Sequence, residues 1–287
     1  MDNSLLKIIN NNNCFIDDQG ILIADIESTN EVLASKKAWE KIYDFDVEKL
    51  KKDREDFNNN KLQDYLGYIK KYYKFNKDTI YLEIGCGPAY IGEYIMKNHD
   101  SYFIGVDFNY NILLSLKQYF NEKGYKKYLL IHGDINKIPI KNDSIDFIYG
   151  GGVIEHFYDT NNILFELHRV LKVGGISFNT VPSFNFYWLL MSFSIIPSPY
   201  FLRKIFEFVH IKLLKNKVLD KTGYGLSFTR SLLIKLHMQS GFKNIIVEPF
   251  AFHPSFYKLR SKFLRELYFK ITQNSLFSAF YLVCGTK

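Results

Sequence analysis

Two glycines separated by one residue, Gly85 and Gly87, stand between an apolar run and a helical pattern in the stretch YLEIGCGPAYIGEY. Glycine has no Cβ, so a ligand can approach such a backbone closely, and the amides that open the next helix attract a carboxylate or phosphate. Pro88 suits the first turn of that helix, because the N–H that proline lacks would have no partner there. The pattern predicts a strand-to-helix turn over Glu83, Gly85, Cys86 and Gly87 that holds a small molecule.

Two acidic residues follow at the ends of the next apolar segments. Asp107 ends GVD about 20 residues after Gly87, where a carboxylate accepts hydrogen bonds from ribose hydroxyls in nucleotide-binding folds. Asp134, in HGDI, is expected at the same edge and could meet an adenine amino group. A single aspartate is more often a cap or turn residue, but the ordered set favours a nucleoside. Tyr90 stands where a dinucleotide fingerprint requires glycine, which argues against a pyrophosphate.

The elements that must position these residues are read from hydrophobic periodicity. From Thr79 onward, short apolar segments alternate with longer amphipathic ones, which is typical of βαβ units and a parallel sheet. The predicted fold class is α/β, a Rossmann-like doubly wound seven-stranded sheet with a helical N-terminal cap and helical insertions. The expected boundaries are 1–78 for the cap, with helical patterns near 35–43 and 61–73, and 79–287 for the sheet domain, with insertions at about 183–228 and 249–275.

These motifs, in this order, resemble those of the class I S-adenosylmethionine-dependent methyltransferases, especially the group with a compact UbiE-like, or type 11, domain. LEIGCGPAYIG resembles their first motif, GVDFN the second and HGDINKIPI the third. DSIDFIYGGGVIEHFYD and LFELHRVLKVGGISFNTVP resemble the stretch from the fourth strand to the fifth. The resemblance covers roughly residues 79–182.

The resemblance implies a role for each matching residue. Glu83, Gly85 and Gly87 would surround the methionine part of S-adenosylmethionine, and Asp107 would bind the ribose. Phe108 would pack against the adenine, whose polar edge Asp134 and Ile135 would hold. Gly150 and Gly151, with Gly152, would bring a bare surface beside the sulfonium. Ala89 departs from the pattern, since many relatives have a third glycine there, but alanine is small enough for a helix start.

His156, in IEHF, is the candidate general base if the acceptor is a hydroxyl, because imidazole titrates near the working pH. The alternative is that Glu155 and His156 only anchor the loop after the fourth strand. Some relatives bind a metal here through a Glu-x-x-Glu-His segment, but Gly152 occupies the earlier glutamate position. No metal is therefore expected.

Charge is divided unevenly along the chain. Residues 1–172 carry 22 Lys/Arg against 26 Asp/Glu, a net charge of −4, whereas residues 173–287 carry 15 against 4, a net charge of +11. A basic half attracts anionic partners such as membrane lipid, nucleic acid or a phosphorylated substrate, although it also serves solubility. The 26 Phe and 21 Tyr are more than a plain core needs.

The three cysteines, Cys14, Cys86 and Cys284, are far apart and form no CxxC pattern, so neither a disulfide framework nor a zinc site is expected. The first residues lack the basic start and apolar run of a signal peptide. The expected location is the cytoplasm, with the surface of the inner membrane as a further site of contact.

The insertions combine aromatic and basic residues. Residues 173–202 carry no charge, but Pro197 and Pro199 would break a spanning helix, so a transmembrane helix is rejected. The segments FLRKIFEFVHIKLLKNK and FYKLRSKFLRELYF predict amphipathic helices. They fit a lid over the active site, or a surface that lies on an anionic membrane or admits a lipid-like acceptor.

The predicted activity is methyl transfer from S-adenosylmethionine to a small or amphipathic acceptor, such as a lipid precursor, a quinone-like ring or a sugar. Two alternatives are an RNA methyltransferase and a cofactor-binding subunit without activity. Nucleic acid is the less favoured partner, because no RNA-binding module is recognisable. The sequence does not predict the oligomeric state.

Overall fold

A nine-stranded mixed sheet forms the centre of the computed structural model. The structure describes residues 3–10, 14–24, 46–157, 159–189, 198–202, 204–205, 208–213, 225–250 and 261–287. The predicted helix near 35–43 and parts of both predicted insertions lie outside these residues.

The described N-terminal elements are helices and one hairpin. They are α1 (Asn3–Leu6), β1 (Cys14–Ile16), β2 (Leu22–Ala24), α2 (Val47–Asn60) and α3 (Leu62–Tyr72). The cap is therefore not wholly helical, because β1 and β2 pair antiparallel and β2 continues in parallel onto the sheet through Leu22 and Ile131.

Strands and helices then alternate as the periodicity predicts. In chain order they are β3 (Ile80–Ile84), α4 (Tyr90–His99), β4 (Tyr102–Asp107), α5 (Tyr110–Glu122), β5 (Tyr128–His132), β6 (Ile145–Gly151), α6 (Thr160–Val170) and β7 (Leu171–Pro182). A 3₁₀ turn, Ile154–His156, separates β6 from α6. Helix α4 begins at Tyr90, two residues later than the predicted start at Pro88.

The remaining described elements complete the sheet and begin the insertions. They are α7 (Phe186–Leu189), β8 (Ser198–Pro199), β9 (Leu226–Ser227), α8 (Arg230–Gln239), β10 (Lys243–Phe250), α9 (Lys262–Thr272) and β11 (Phe280–Thr286), with a 3₁₀ turn at Tyr200–Leu202 and a π-helical turn at Phe208–Leu213. Strands β8 and β9 form a separate small parallel pair.

The strand order is β1-β2-β5-β4-β3-β6-β7-β11-β10. Strands β2 to β7 are parallel where they pair, and β11 is antiparallel to both β7 and β10. The predicted fold class is confirmed. The predicted number of seven strands is wrong, because it omits the two three-residue strands of the N-terminal hairpin.

The two faces of the sheet are packed with different side chains. One face, covered by α6 and α8, is almost entirely aliphatic. The other, covered by α2 to α5, is rich in buried aromatic rings: Tyr81, Phe103, Phe120, Tyr128, Phe147 and Phe178. This second core accounts for part of the large number of Phe and Tyr residues.

No helix within the described ranges combines the length and the apolarity needed to cross a bilayer.

Candidate functional site

The predicted cofactor residues converge at the carboxyl edge of the sheet. The glycine turn follows β3, Asp107 ends β4, Asp134 follows β5, and Gly150 and Gly151 end β6. Because these four strands are parallel neighbours, their carboxyl ends meet at the same edge. The structure thus brings together residues that are spread over nearly 70 positions of the chain.

The glycine turn adopts a backbone that favours glycine. Gly85 and Gly87 have φ of 55° and 44°, and a Cβ at Gly85 would lie 2.8 Å from Val153 Cγ2 in the loop after β6. Ala89 also has a positive φ, 51°, which costs a residue with a Cβ about 1–2 kcal/mol. The small size of alanine is therefore not the only property that matters at this position, because the backbone conformation itself favours glycine.

Glu83, on β3, stabilises the elements on both sides of this turn. Its Oε2 accepts hydrogen bonds from Gly92 N and from Tyr81 Oη, both at 3.0 Å, so it ties β3 to the first turn of α4. Burial raises the pKa of Glu83 to about 8, although these two bonds act to lower it. The described bonds of this carboxyl therefore go to β3 and α4, the two elements that the glycine turn joins.

Asp107 links the turn to the neighbouring strand. Its Oδ2 accepts from Gly87 N and its Oδ1 from Asn109 N, both at 2.8 Å, and its carbonyl accepts from Gly133 N at 3.1 Å. Burial raises the pKa of Asp107 to about 6, against the lowering effect of the backbone donors. A carboxylate has about four acceptor positions. Two bonds therefore leave this one able to accept further donors.

The residues predicted to surround the adenine lie next to Asp107. Asp134 is buried and its Oδ1 accepts from both the backbone and side-chain nitrogens of Asn136, at 2.8 and 2.9 Å. Ile135 is buried in the aliphatic core. Phe108 is half-buried, and its carbonyl contacts His132 Nε2 at 3.0 Å. Phe108 is thus less deeply buried than Asp134 and Ile135.

Cys86, Gly150 and Gly151 are shaped by packing within the protein. The Cys86 side chain is buried, and burial raises the pKa of its thiol far above the ordinary value. A Cβ at Gly150 would collide with the Asn179 side chain and with Ile84, and one at Gly151 would lie 2.5 Å from Tyr149 Oη. The bare backbone of the two glycines therefore leaves room for neighbouring side chains.

Glu155 and His156 occupy the 3₁₀ turn after β6. Glu155 is 3% exposed, its Oε2 has no hydrogen-bond partner, and burial raises its pKa to about 8. His156 is half-buried and its Cε1 lies 4.0 Å from the position that a Cβ on Gly225 would occupy. His156 thus faces the segment that leads into β9, on the β6 side of the edge.

Sequence reasoning missed two buried polar side chains near this edge. Asn179 on β7 donates to Ser177 Oγ at 2.9 Å, while its Oδ1, buried against Gly150, has no partner. Arg54 on α2 contacts the residues that follow the glycine turn. The three successive glycines at the end of β6 were a signal for Asn179, because glycines leave space that a neighbouring side chain can occupy. Nothing in the charged run KKDRED marked Arg54 as buried.

A cavity of about 500 Å³ lies between α3, the end of β10 and α9. Its lining contains none of the residues predicted from sequence and includes the ion pair between Lys71 and Glu248, at 2.7 Å. In the described part of the chain, no three His, Cys, Asp or Glu side chains converge as metal ligands would.

The fold and the arrangement of this edge are those of a class I methyltransferase. The family described as "Methyltransferase domain" matches residues 82–178, which run from β3 to β7 and contain the glycine turn, Asp107 and Asp134. Residues 82–178 thus match a methyltransferase domain, and the fold and the UbiE-like relatives support a class I S-adenosylmethionine-dependent methyltransferase.

Relatives of known sequence include demethylmenaquinone methyltransferases. That of Anoxybacillus flavithermus is 25% identical over 186 residues, covering 61% of this chain and 75% of the relative. That of Bacillus velezensis is 35% identical over 71 residues, covering 25% of this chain and 30% of the relative. The more similar match thus spans less than a third of the relative's length.

Solved structures show the same fold at low identity. Phosphoethanolamine N-methyltransferase 2 of Haemonchus contortus, in complex with S-adenosylmethionine, gives a TM-score of 0.56 at 16% identity, covering 78% of this chain and 52% of that one. A methyltransferase complex from Haloferax volcanii gives 0.57 at 12% identity, covering 88% and 96%. S-adenosylmethionine is the cofactor of the class.

Proposed function

We propose that this protein transfers a methyl group from S-adenosylmethionine to a small or amphipathic acceptor at the carboxyl ends of β6 and β7. The observation that carries the proposal is the bond between Gly87 N and Asp107 Oδ2, which joins the glycine turn to the acidic end of β4 inside the matched domain. It places the two motifs expected to hold the cofactor side by side.

The residues at the edge fit this cofactor. Ala89, the N-cap residue of α4, provides no side-chain cap, and the partial positive charge at the amino end of this helix favours the cofactor's carboxylate. Asp107 would accept ribose hydroxyls on its remaining lone pairs, and Phe108 would cover the adenine. Asp134 and the backbone of Ile135 would take its amino edge. Glu83 and Cys86, whose side chains are buried, would shape the turn from beneath.

The chemistry asked of the protein is mainly positioning. When bound, the cofactor supplies a methyl group on a positively charged sulfur, which is already activated for transfer. The protein must align the acceptor with that group and exclude water, and alignment alone can contribute several kcal/mol. The backbone of Gly150 and Gly151 would border the methyl group, and His156 would accept the acceptor's proton where the acceptor is a hydroxyl.

Two observations favour an amphipathic acceptor over a freely soluble one. The two relatives of known sequence named above are demethylmenaquinone methyltransferases, and the acceptor in that name is a quinone. In addition, α9 turns an apolar stripe toward solvent: Phe263, Leu264, Leu267 and Ile271 are 70%, 47%, 43% and 47% exposed, while Thr272 on the opposite side is buried.

The helix that carries this stripe connects two strands that meet at the edge of the proposed site. The register Phe250 to Phe280 to Pro182 places the end of β10 and the start of β11, which α9 connects, beside the carboxyl end of β7. Lys262, Arg265 and Lys270 surround the stripe, with Glu266 as the acidic residue of the helix. An apolar stripe bordered by cations suits the surface of an anionic bilayer. The stripe therefore supports a cytoplasmic protein that contacts the inner membrane surface and takes its acceptor there.

The first experiment identifies the acceptor. The purified protein is incubated with methyl-labelled S-adenosylmethionine and an extract of its source cells, and the label is separated into organic, nucleic-acid and small polar fractions. Label in the organic fraction is the expected result, with Asp107→Ala as the control that should lose it. Nuclease-sensitive label would support the RNA alternative. Cofactor binding without label in any fraction would support the subunit without activity.

The second experiment tests the membrane surface by sedimentation with vesicles. Phosphatidylcholine vesicles that contain phosphatidylglycerol should retain the protein, and pure phosphatidylcholine vesicles should retain much less. The double variant Phe263→Ser/Leu264→Ser should lose most of this binding. Val173→Ser is the matched control, since Val173 is 84% exposed at the start of β7, at the opposite edge. Equal vesicle binding by the double variant and the control would contradict a membrane-binding role for the stripe. Dimers that form with rising protein concentration, without vesicle binding, would instead indicate that the stripe contacts a second copy of the chain.

A further inference from the structure

Arg54, in the middle of α2, is a buried cation that contacts the glycine turn from the N-terminal cap. It is 3% exposed. Its Nη2 donates to the carbonyl of Pro88, and its Nη1 lies 3.5 Å from the carbonyl of Ala89. Pro88 and Ala89 are the two residues that follow Gly87 directly. A side chain from outside the matched domain thus binds the backbone of the turn.

This position is electrostatically unfavourable for a cation. Helix α4 begins at Tyr90, and the amino end of a helix carries a partial positive charge. Removing a guanidinium from water adds a further cost. Glu93 in the first turn of α4 offsets both, with its Oε2 at 2.6 Å from Arg54 Nη1.

Several other groups hold this ion pair in one arrangement. Tyr119 and Tyr125 both donate to Glu93 Oε1 at 2.9 Å. The guanidinium carbon lies 5.1 and 4.6 Å from the ring centroids of Tyr90 and Tyr119, so the cation is also in contact with aromatic faces. An apolar side chain would fill this space without the desolvation cost. What the arginine adds is a set of directed bonds to the turn.

The turn is a place where directed bonds matter. Ala89 is held at a positive φ, a strained conformation that persists only where its surroundings fix it. Asp107 holds the turn from one side through Gly87 N, and Arg54 holds it from the other through the carbonyls of Pro88 and Ala89. Loss of either contact would let Pro88 and Ala89 relax away from the backbone conformation seen here.

We propose that Arg54 is a positioning residue for the cofactor, and that the N-terminal cap therefore takes part in cofactor binding. It acts through the backbone of Pro88 and Ala89 and needs no contact with the cofactor itself. The inference rests on the proposed function, because it assumes that this turn binds S-adenosylmethionine. Coupling between two sites is reciprocal, so the bound cofactor should in turn stabilise the docking of α2.

The test is calorimetric titration with S-adenosylhomocysteine at 10 °C, where each variant is first checked for folding by circular dichroism. Arg54→Met should bind at least tenfold more weakly than the wild type. Arg54→Lys should also be weakened, since one ammonium cannot reach Pro88, Ala89 and Glu93 together. Glu93→Gln keeps Arg54 but removes the negative charge that pairs with it. This variant tests the same contact if Arg54→Met does not fold.

Two controls on the same helix separate positioning from general stability. Leu50→Ala loosens α2, because Leu50 is fully buried in the aromatic core, but it removes no bond to the turn. Lys51→Ala removes exposed ion pairs with Glu48 and Glu122. Both should bind S-adenosylhomocysteine within about threefold of the wild type, even where Leu50→Ala melts at a lower temperature than Arg54→Met.

A second measurement reads the coupling in the other direction. Saturating S-adenosylhomocysteine should slow hydrogen exchange in α2 of the wild type, and this protection should be lost in Glu93→Gln and Arg54→Met. Wild-type affinity in Arg54→Met, or an equal loss of affinity in Leu50→Ala, would overturn the positioning role. A wild-type protein that binds no S-adenosylhomocysteine would instead contradict the proposed function.

Discussion

The two halves of the carboxyl edge satisfy their polar groups differently. Around β3 and β4, the carboxyl groups of Glu83 and Asp107 accept from backbone amides of the turn. Around β6 and β7, Glu155 Oε2 and Asn179 Oδ1 are buried without partners. Buried polar groups are nearly always bonded, so an unbonded one at an edge that binds ligands marks a place where a ligand or water completes the bonding. Asn109 Nδ2, after β4, is also buried without a partner, but the two carboxyl groups that hold the first half are bonded within the protein, whereas the second half leaves two acceptor oxygens for a ligand or water.

The largest expected effect tests the second half. His156→Ala should lower turnover about 10²- to 10⁴-fold if His156 accepts the acceptor's proton, while the affinity for S-adenosylhomocysteine stays unchanged. The two quantities are measured by initial rates with the identified acceptor and by calorimetry. Unchanged turnover would make His156 a structural residue of the loop after β6.

The next effect tests the first half. Asp107→Ala should weaken S-adenosylhomocysteine binding by about 1.5–3 kcal/mol, which is roughly 10- to 150-fold, through the loss of charge-assisted bonds to the ribose. Asp146→Ala is a matched control, because Asp146 holds Ile80 N and Lys172 near the amino end of the same sheet. Equal affinities of wild type and Asp107→Ala in calorimetry would remove Asp107 from the site.

Cofactor affinity should also depend on pH. The pKa of Asp107 is raised to about 6, so its carboxylate is formed above that pH and protonated below it. Hydroxyl donors bond more strongly to the charged carboxylate than to the neutral carboxyl, so affinity should be constant from pH 7 to 8 and fall by at most about tenfold per unit below pH 6. Titrations of the wild type and Asp107→Asn across this range check the assignment, since the asparagine variant should lose the pH-dependent part.

The last prediction concerns stability rather than binding, and it involves Glu155. Its pKa is raised from 4.5 to about 8, so between these values the native state binds more protons than the unfolded state. The stability contributed by the neutral carboxyl is therefore present below pH 4.5 and is lost as the pH rises to 8, with a slope of at most about 1.4 kcal/mol per unit. Glu155→Gln should thus gain stability relative to the wild type from pH 5 to pH 8 in urea unfolding. A difference that does not change with pH would show that Glu155 does not titrate in this window.

The sequence predicted which residues meet in the first half better than which residues meet in the second, for physical reasons. The turn at Gly85 and Gly87 and the acid at Asp107 are local patterns at strand ends, and the alternation of strands and helices was read from periodicity. Cofactor chemistry is shared across the class, so its residues match family motifs. Acceptor chemistry is not shared, and β9, one of the elements that pack against the turn of Glu155, comes from an insertion with no common pattern.

Long-range pairing explains the other failures. Strands β1 and β2 contain three residues each, which is too short for a periodic signal, and β2 becomes a strand through its pairing with β5. Arg54 lies in a charged run that resembles a solvated helix face. Its burial depends on Glu93 and Tyr119, from two later helices, and on Tyr125 in the loop after the second of them. In each case the determining contact is distant in sequence.

The position of α9 also affects how the sheet can assemble. Strand β10 is made before β11, yet β11 lies between β10 and β7, so β10 can join the sheet only after the chain has passed through α9 and returned. Until then β10 presents unpaired backbone groups, which can pair with other chains. Because the entropy cost of closing a loop grows slowly with its length, the insertion adds little to that cost. Its larger consequence is kinetic: it prolongs the period in which an unfinished sheet edge is open to aggregation.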